Sequence, residues 1–315
     1  MKEYEETIIT KDKETGEIIG TKIVEINPGE TVLVKVIPEN PNEFCENKKD
    51  LDKQIKNFIE KNEGAFVSLI YKYNATIFKE LEEKAPGSKC TIHIIRFMML
   101  ATRLTFGGKL LDKNGHRVKK STLMKIWDTS SRNSRNETYD LLKECGYIYE
   151  TEEGYIMINE NMVIKGAITD IIKELKKEDK DFTCVRVFVK NLEEMFNNTE
   201  PKQRKQLANL FKILPYINFK YNVFCANPTE TDEEKLEPLN WTELTKLCGY
   251  DESQVTRFKK SLMTLKVFGS SVIGQFESET TGKIIIVNPK IYYGGDDVKD
   301  VEYLYGLFKM KPKGN

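Results

Sequence analysis

The sequence predicts an α+β protein in which one unit occurs twice behind a β-rich N-terminal extension. Three observations predict it. Residues 121–159, STLMKIWDTSSRNSRNETYDLLKECGYIYETEEGYIMIN, read as helix, polar turn, helix and hairpin. Residues 240–289 repeat that order. The stretches upstream, 66–106 and 182–219, also match: a strand-like run, a short charged helix, a Pro-marked break and a long apolar helix ending in an aromatic residue. A unit of roughly 115 residues is duplicated, and an internal repeat is a stronger sign of architecture than local propensity.

Taken in order, residues 1–60 form the extension. MKEYEETIIT is acidic and lacks the apolar core of a secretory signal. TIITKD and EIIGTKIVEI flank Lys13-Glu14-Thr15-Gly16, a hairpin turn, and TVLVKVI alternates before the breaker cluster Pro38 to Asn42. Residues 48–61 fit a charged helix. No chemistry attaches to this arm, which is expected to pack on the first repeat, self-associate or bind a partner.

The first domain is expected over 61–165. The helix 88–104 is apolar nearly all round, through Ile92, Ile95 and Met99, with His93 on or near its polar side. The segment from Gly107 to Lys120 supplies a strand ahead of the next helix. Leu123 and Ile126 give that helix its apolar face, and Thr129, Ser130 and Ser131 end it and offer N-caps for its successor. Tyr139, Leu142 and Cys145 share one face of the second helix, and Gly146 stops it. Tyr147-Ile148-Tyr149 and Tyr155 to Ile158 then flank Glu152-Glu153-Gly154, a hairpin signal. Helix, turn, helix and hairpin make a winged helix, whose second helix is built to lie in a DNA major groove.

A charged connector spans 166–181, and the second domain is expected over 182–315. Leu244 and Leu247 take the parts of Leu123 and Ile126. Val255, Phe258, Leu262 and Leu265 form the next buried stripe, and Val267-Phe268 answers Tyr147-Ile148. Asn222 to Cys225 supplies the small sheet before the acidic run 229–237. The second wing turns near Glu279 to Gly282. Both wings close alike, with Asn159 seven residues before Gly166 and Asn288 seven before Gly295. Val301, Leu304, Leu307 and Phe308 fit a last packing helix.

Composition narrows the function classes. Hydrophobic residues are 39% and charged residues 31%, with no apolar run near the ~20 residues that span a bilayer, so no membrane partner is expected. Six scattered cysteines without a CxxC pair read as reduced residues of a cytoplasmic protein. Two histidines 23 residues apart disfavour a zinc site and exclude the usual His-x-His pair of rolling-circle nucleases. No phosphate loop, dinucleotide fingerprint or nucleophile elbow occurs, so neither enzyme activity nor a cofactor is expected. Net charge is zero, yet 103–146 holds 10 basic against 5 acidic residues while 229–252 holds 2 against 8. Positive charge thus gathers beside the first helix-turn-helix.

The expected partner is double-stranded DNA. Arg132, Asn133, Arg135, Asn136 and Glu137 lie at the start and outer face of the first recognition helix. Arg pairs with guanine, Asn with adenine, and Glu accepts from cytosine. Ser253, Gln254, Thr256, Arg257 and Lys260 take those positions in the second. Ser131, Lys125, Lys119, Lys120 and Lys259 suit phosphates, which set register without reading sequence. Acidic Glu152-Glu153 makes the first wing a poor backbone contact; the second, with Lys283, is better.

The stretches RKQLANLFKILPYINFKYNVFCANP and IIIVNPKIYYGG resemble replication-initiator-like proteins of Gram-positive plasmids and phages. In those families a wing closes with a strand, Asn-Pro, a short hydrophobic run and Gly. Asn288-Pro289 fits, whereas Glu160 departs from it. The resemblance spans about residues 65–295 and implies origin binding, dimer–monomer switching and recruitment of host replication proteins. Two other readings use the same fold: a transcriptional regulator, and an interaction module without DNA binding.

Overall fold

A computed structural model describes residues 4–11, 18–26, 57, 61, 64–71, 78–165, 183–278, 282–295 and 298–309. The chain divides into two compact units, 1–50 and 51–315. In the first, β1 (Tyr4–Lys11) and β2 (Ile18–Ile26) form the expected antiparallel hairpin, with Thr7 opposite Ile23. The TVLVKVI run, the Pro/Asn breaker, most of the 48–61 helix, the connector 166–181 and the tip of the second wing lie outside the described residues.

The second unit holds both repeats. Repeat 1 runs β3 (Phe66–Tyr71), α1 (Lys79–Lys84), α2 (Ser88–Ala101), α3 (Leu123–Ile126), α4 (Arg132–Glu144), β4 (Ile148–Glu150), β5 (Ile156–Ile158) and β6 (Val163–Ile164). Repeat 2 runs β7 (Thr183–Phe188), α5 (Val189–Asn198), α6 (Lys205–Ile213), α7 (Trp241–Leu247), α8 (Val255–Met263), β8 (Lys266–Val267), β9 (Ser270–Ser271), β10 (Ile273–Ser278), β11 (Gly282–Val287) and β12 (Tyr292–Tyr293). α9 (Val298–Lys309) follows, with Val301 and Leu304 buried as its spacing predicts. Mixed helix and strand is therefore the observed class.

In each repeat a further segment joins the two-stranded hairpin through an isolated bridge. Lys109 bridges Met157 in one, and Val223 bridges Ile286 in the other. These are the segments the sequence assigns to the small sheet. The segments that close the two hairpins also match in detail. The Asn159 amide donates to the Gly146 carbonyl at 2.9 Å and its Oδ1 accepts from Asn161 N at 3.0 Å. Asn288 does the same to Ser271 and Lys290, at 2.8 and 3.0 Å. The recurring asparagine is thus a side-chain staple that ties the end of the hairpin back to the chain entering it.

β3 and β7 pair antiparallel at the centre of one sheet, ordered β12-β7-β3-β6. Leu69 partners Val163 and Ser68 partners Ile164, while Val187 partners Tyr292 and Arg186 partners Tyr293. Ser68 in repeat 1 therefore stands where Arg186 stands in repeat 2. These two residues are themselves partners across the central pair. Exchanging the repeats maps that pair onto itself, so a local twofold axis passes between Ser68 and Arg186. α2 packs against α6, and one apolar core runs through both repeats, including Leu81, Phe97, Leu100, Leu142, Leu207, Leu210, Leu244 and Leu262.

Three expectations need correction. His93 is buried, at 3% exposure, and Ile92 is open at 46%, because α2 turns His93 toward α4. Leu247 is a surface residue at 37%; Cys248 points inward instead, its thiol 3.5 Å from the Asn209 carbonyl. Val272-Ile273, not Val267-Phe268, matches Tyr147-Ile148. Asn288 N donates to the Val272 carbonyl as Asn159 N does to that of Tyr147. Repeat 2 carries an additional hairpin, β8–β9, whose turn residues Phe268 and Gly269 have φ of 45° and 77°.

Candidate nucleic-acid interface

The turn before α4 is closed by a helix stop with a left-handed residue. Asp128 has φ 47°, and Thr129 N donates to the Met124 carbonyl at 3.0 Å. Gly249 holds the same place in repeat 2 with φ 78°, and Tyr250 N donates to Thr245 at 3.2 Å. Ser131 then caps α4, its hydroxyl accepting from Ser134 N at 3.2 Å. The far end closes on Gly146 (φ 70°), with Tyr147 N on the Leu142 carbonyl at 2.9 Å.

α4 buries Thr138, Tyr139 and Leu142 and is gripped from behind by α2. The buried Arg96 guanidinium donates to the Ser134 carbonyl at 2.7 Å, to Ser134 Oγ at 3.0 Å and to the Thr138 hydroxyl. His93 Nδ1 lies 3.0 Å from that same hydroxyl. The Trp127 indole donates to the Arg96 carbonyl at 2.9 Å, and the guanidinium lies 5.4 Å from the ring centroid. Burial lowers the pKa of His93, opposed by Glu137 and reinforced by Arg96 and Lys89, so the imidazole is neutral at pH 7. Asn209 supports repeat 2 from α6, where its Oδ1 accepts from the Tyr250 hydroxyl at 3.2 Å.

With its inner face fixed, α4 presents an outer one. Arg132, Asn133 and Glu137 are exposed, and among the described residues nothing engages the side chains of Arg132 or Asn133. Arg135 and Asn136 are half-buried and bonded to each other, Nη2 to Oδ1 at 2.8 Å. Lys125 and Lys119 are exposed nearby. Lys120 instead pairs with Asp140 at 3.0 Å and lies over the Tyr139 ring. Lys113 and Arg117, on the segment ahead of α3, are engaged by Glu193 and by the Glu153 carbonyl.

In repeat 2, Ser253 and Gln254 sit in a single 3₁₀ turn capped by Asp251, ahead of α8 rather than on it. Thr256, Arg257 and Lys260 are exposed along α8, and Phe258 and Leu262 face inward. Lys259 turns away, donating to Gln275 at 2.8 Å and lying over the Trp241 ring. Lys283 is exposed at the start of β11, opposite Glu277. The acidic loop is ordered internally: Asn227 donates to the Lys235 carbonyl at 2.8 Å, and Asp232 pairs with Lys235 at 2.8 Å.

Sequence reading missed the Arg96 clamp. Its signal is a basic residue inside an apolar helix, answered by Ser134 and Thr138 four residues apart on α4. Among the described residues no group of three or more His, Cys, Asp or Glu could hold a metal. No described helix is long and apolar enough to cross a membrane. Cys90, Cys225 and Cys248 are buried free thiols; burial pushes Cys90 up to about 11 and the other two to about 12. Comparison with protein-family models, characterised proteins and solved structures finds no match to this chain.

Proposed function

We propose that this chain binds double-stranded DNA in a sequence-specific way through two winged helices, in the role of a replication initiator at origin repeats. The observation that carries the reading is the contrast between the two faces of α4. Behind, Arg96 and His93 hold Ser134 and Thr138. In front, Arg132 and Asn133 stand exposed and unengaged by described residues. A base reader needs that combination, because a bidentate contact discriminates only from a fixed backbone. Lys119 and Lys125 flank the stripe where phosphates would lie, and Arg257 and Lys260 repeat the arrangement on α8. The initiator role rests on the sequence resemblance and on the duplication. Selection of bound duplexes from a random pool tests the reading. One enriched motif supports it; weak binding with no enriched motif overturns it.

A further inference from the structure

Asp128 and Gly249 hold the same place in the two repeats, and both are left-handed, with φ of 47° and 78°. Glycine takes that conformation freely, whereas a Cβ there carries a steric cost. Repeat 1 therefore keeps a side chain where the turn itself needs none. That side chain has a partner in the other repeat: its Oδ2 accepts from Arg204 Nη2 at 2.6 Å, across 76 positions of sequence. Gly249 has no side chain with which to make such a contact, so the tie exists in one direction only.

Arg204 is held independently of Asp128. Its guanidinium lies 4.0 Å from the ring centroid of Phe196, a buried residue of α5. Its Nε donates to the Thr199 carbonyl, just past α5, at 3.4 Å. The side chain is only 13% exposed. Surface ion pairs usually contribute little, because two long side chains must be ordered to make them. Here α5 has already ordered the cation and the anion is short, so the pair fixes a position.

The position it fixes is the start of α4. Thr129 follows Asp128, and its hydroxyl accepts from Ser131 N at 3.4 Å. The Ser131 hydroxyl in turn caps α4 through Ser134 N at 3.2 Å, and Arg132 is the first residue of that helix. Arg96 grips α4 from behind, at Ser134 and Thr138. Arg204 holds the turn that leads into it.

We propose that Arg204 is a positioning residue for the reading of DNA by repeat 1. Acting through Asp128, it sets where α4 begins and so where Arg132 and Asn133 stand. This rests on the DNA-binding reading above. Repeat 1 thus depends on a side chain of repeat 2 for the placement of its exposed stripe.

The test compares the full chain with Arg204→Gln, Asp128→Gly and the double variant, on the selected duplex and on random duplex. Asp128→Gly keeps the turn's left-handed residue and removes only the tie, so it guards against a variant that fails to fold. Each single variant is expected to bind the selected duplex roughly threefold to tenfold more weakly, and the double variant no more weakly than either. The sign at Asp128 is decisive. Losing a carboxylate near DNA adds positive charge, so charge alone would tighten binding, whereas loss of position weakens it. Hydrogen exchange at the amides of Thr129 to Ser134 is expected to quicken in both single variants. Parent-like affinity for the selected duplex in either single variant overturns the proposal and leaves DNA binding standing, as do single effects that add in the double variant. A lowered thermal midpoint with parent-like affinity marks a purely structural pair and also overturns it. A parent chain that binds selected and random duplexes equally overturns the DNA reading itself.

Discussion

Arg132 and Arg135 lie one turn apart on α4, yet the structure gives them different work. Arg135 is half-buried against Asn136, while Arg132 is exposed and unengaged by described residues. Arg132→Ala is expected to cost ~1–3 kcal/mol of specific DNA binding by fluorescence anisotropy. Its thermal stability should stay within about 0.5 kcal/mol of the parent, as for other surface changes. His93 gives a prediction of the other kind. Its folded pKa is lowered by burial, so the unfolded chain binds the proton first. Stability is intact above the unfolded value near 6.5 and falls as pH drops below it. The groups facing the ring are Thr138, Arg96, Lys89 and Glu137. Urea melts at pH 7 and pH 5 should show a loss that His93→Gln reduces; an unchanged loss in the variant would contradict a buried neutral imidazole. The polar stripe of α4 was legible because surface chemistry is local. Arg96 was not, since spacing says that a basic residue interrupts an apolar helix but not which neighbour it grips.

At the scale of elements, the turns that end α3 and α7 use the same device with different residues. Gly249 is left-handed at no steric cost, and Asp128 takes that conformation in repeat 1 beside Arg204. A Cβ at Gly249 would meet nothing within 4 Å. Any penalty for Gly249→Ala is therefore conformational, expected at ~1–2 kcal/mol by chemical denaturation. A neutral result would mean that the turn is not left-handed. The turn, the hairpin and the wing closure were readable because Gly, Asn and Ser punctuate them. The β8–β9 insertion was not. Its turn places Phe268 at positive φ, where a bulky aromatic is rarely found, so no turn rule points to it. The backbone N–H of Phe268 is held by Glu194 at 2.9 Å, 74 residues away in sequence, which is a tertiary cause and not a local one. Leu247 misled for a related reason. Helical spacing gives a face, but the stop at Gly249 turns Cys248 inward in its place.

At the scale of the molecule, duplication was legible from element order, but the joint was not. Nothing local says that β3 and β7 become each other's central partners across more than a hundred residues. The consequence is that the repeats should unfold together. Each carries one of the two tryptophans, Trp127 buried and Trp241 half-buried. Trp127→Phe and Trp241→Phe variants then report one repeat each. Leu210→Ala, at a fully buried position on α6, should lower both midpoints together, by ~2–5 kcal/mol of stability. A shift confined to the Trp241 signal would mean two independent domains. The proposed DNA binding is tested by the affinity of the full chain for its selected duplex and for a scrambled one across a salt series. A sequence-specific reader prefers the selected duplex roughly 10³-fold or more at physiological salt. Its log K falls linearly with log salt, with a slope that reports several neutralised phosphates. Equal affinities with a flat salt dependence would contradict DNA reading by this chain.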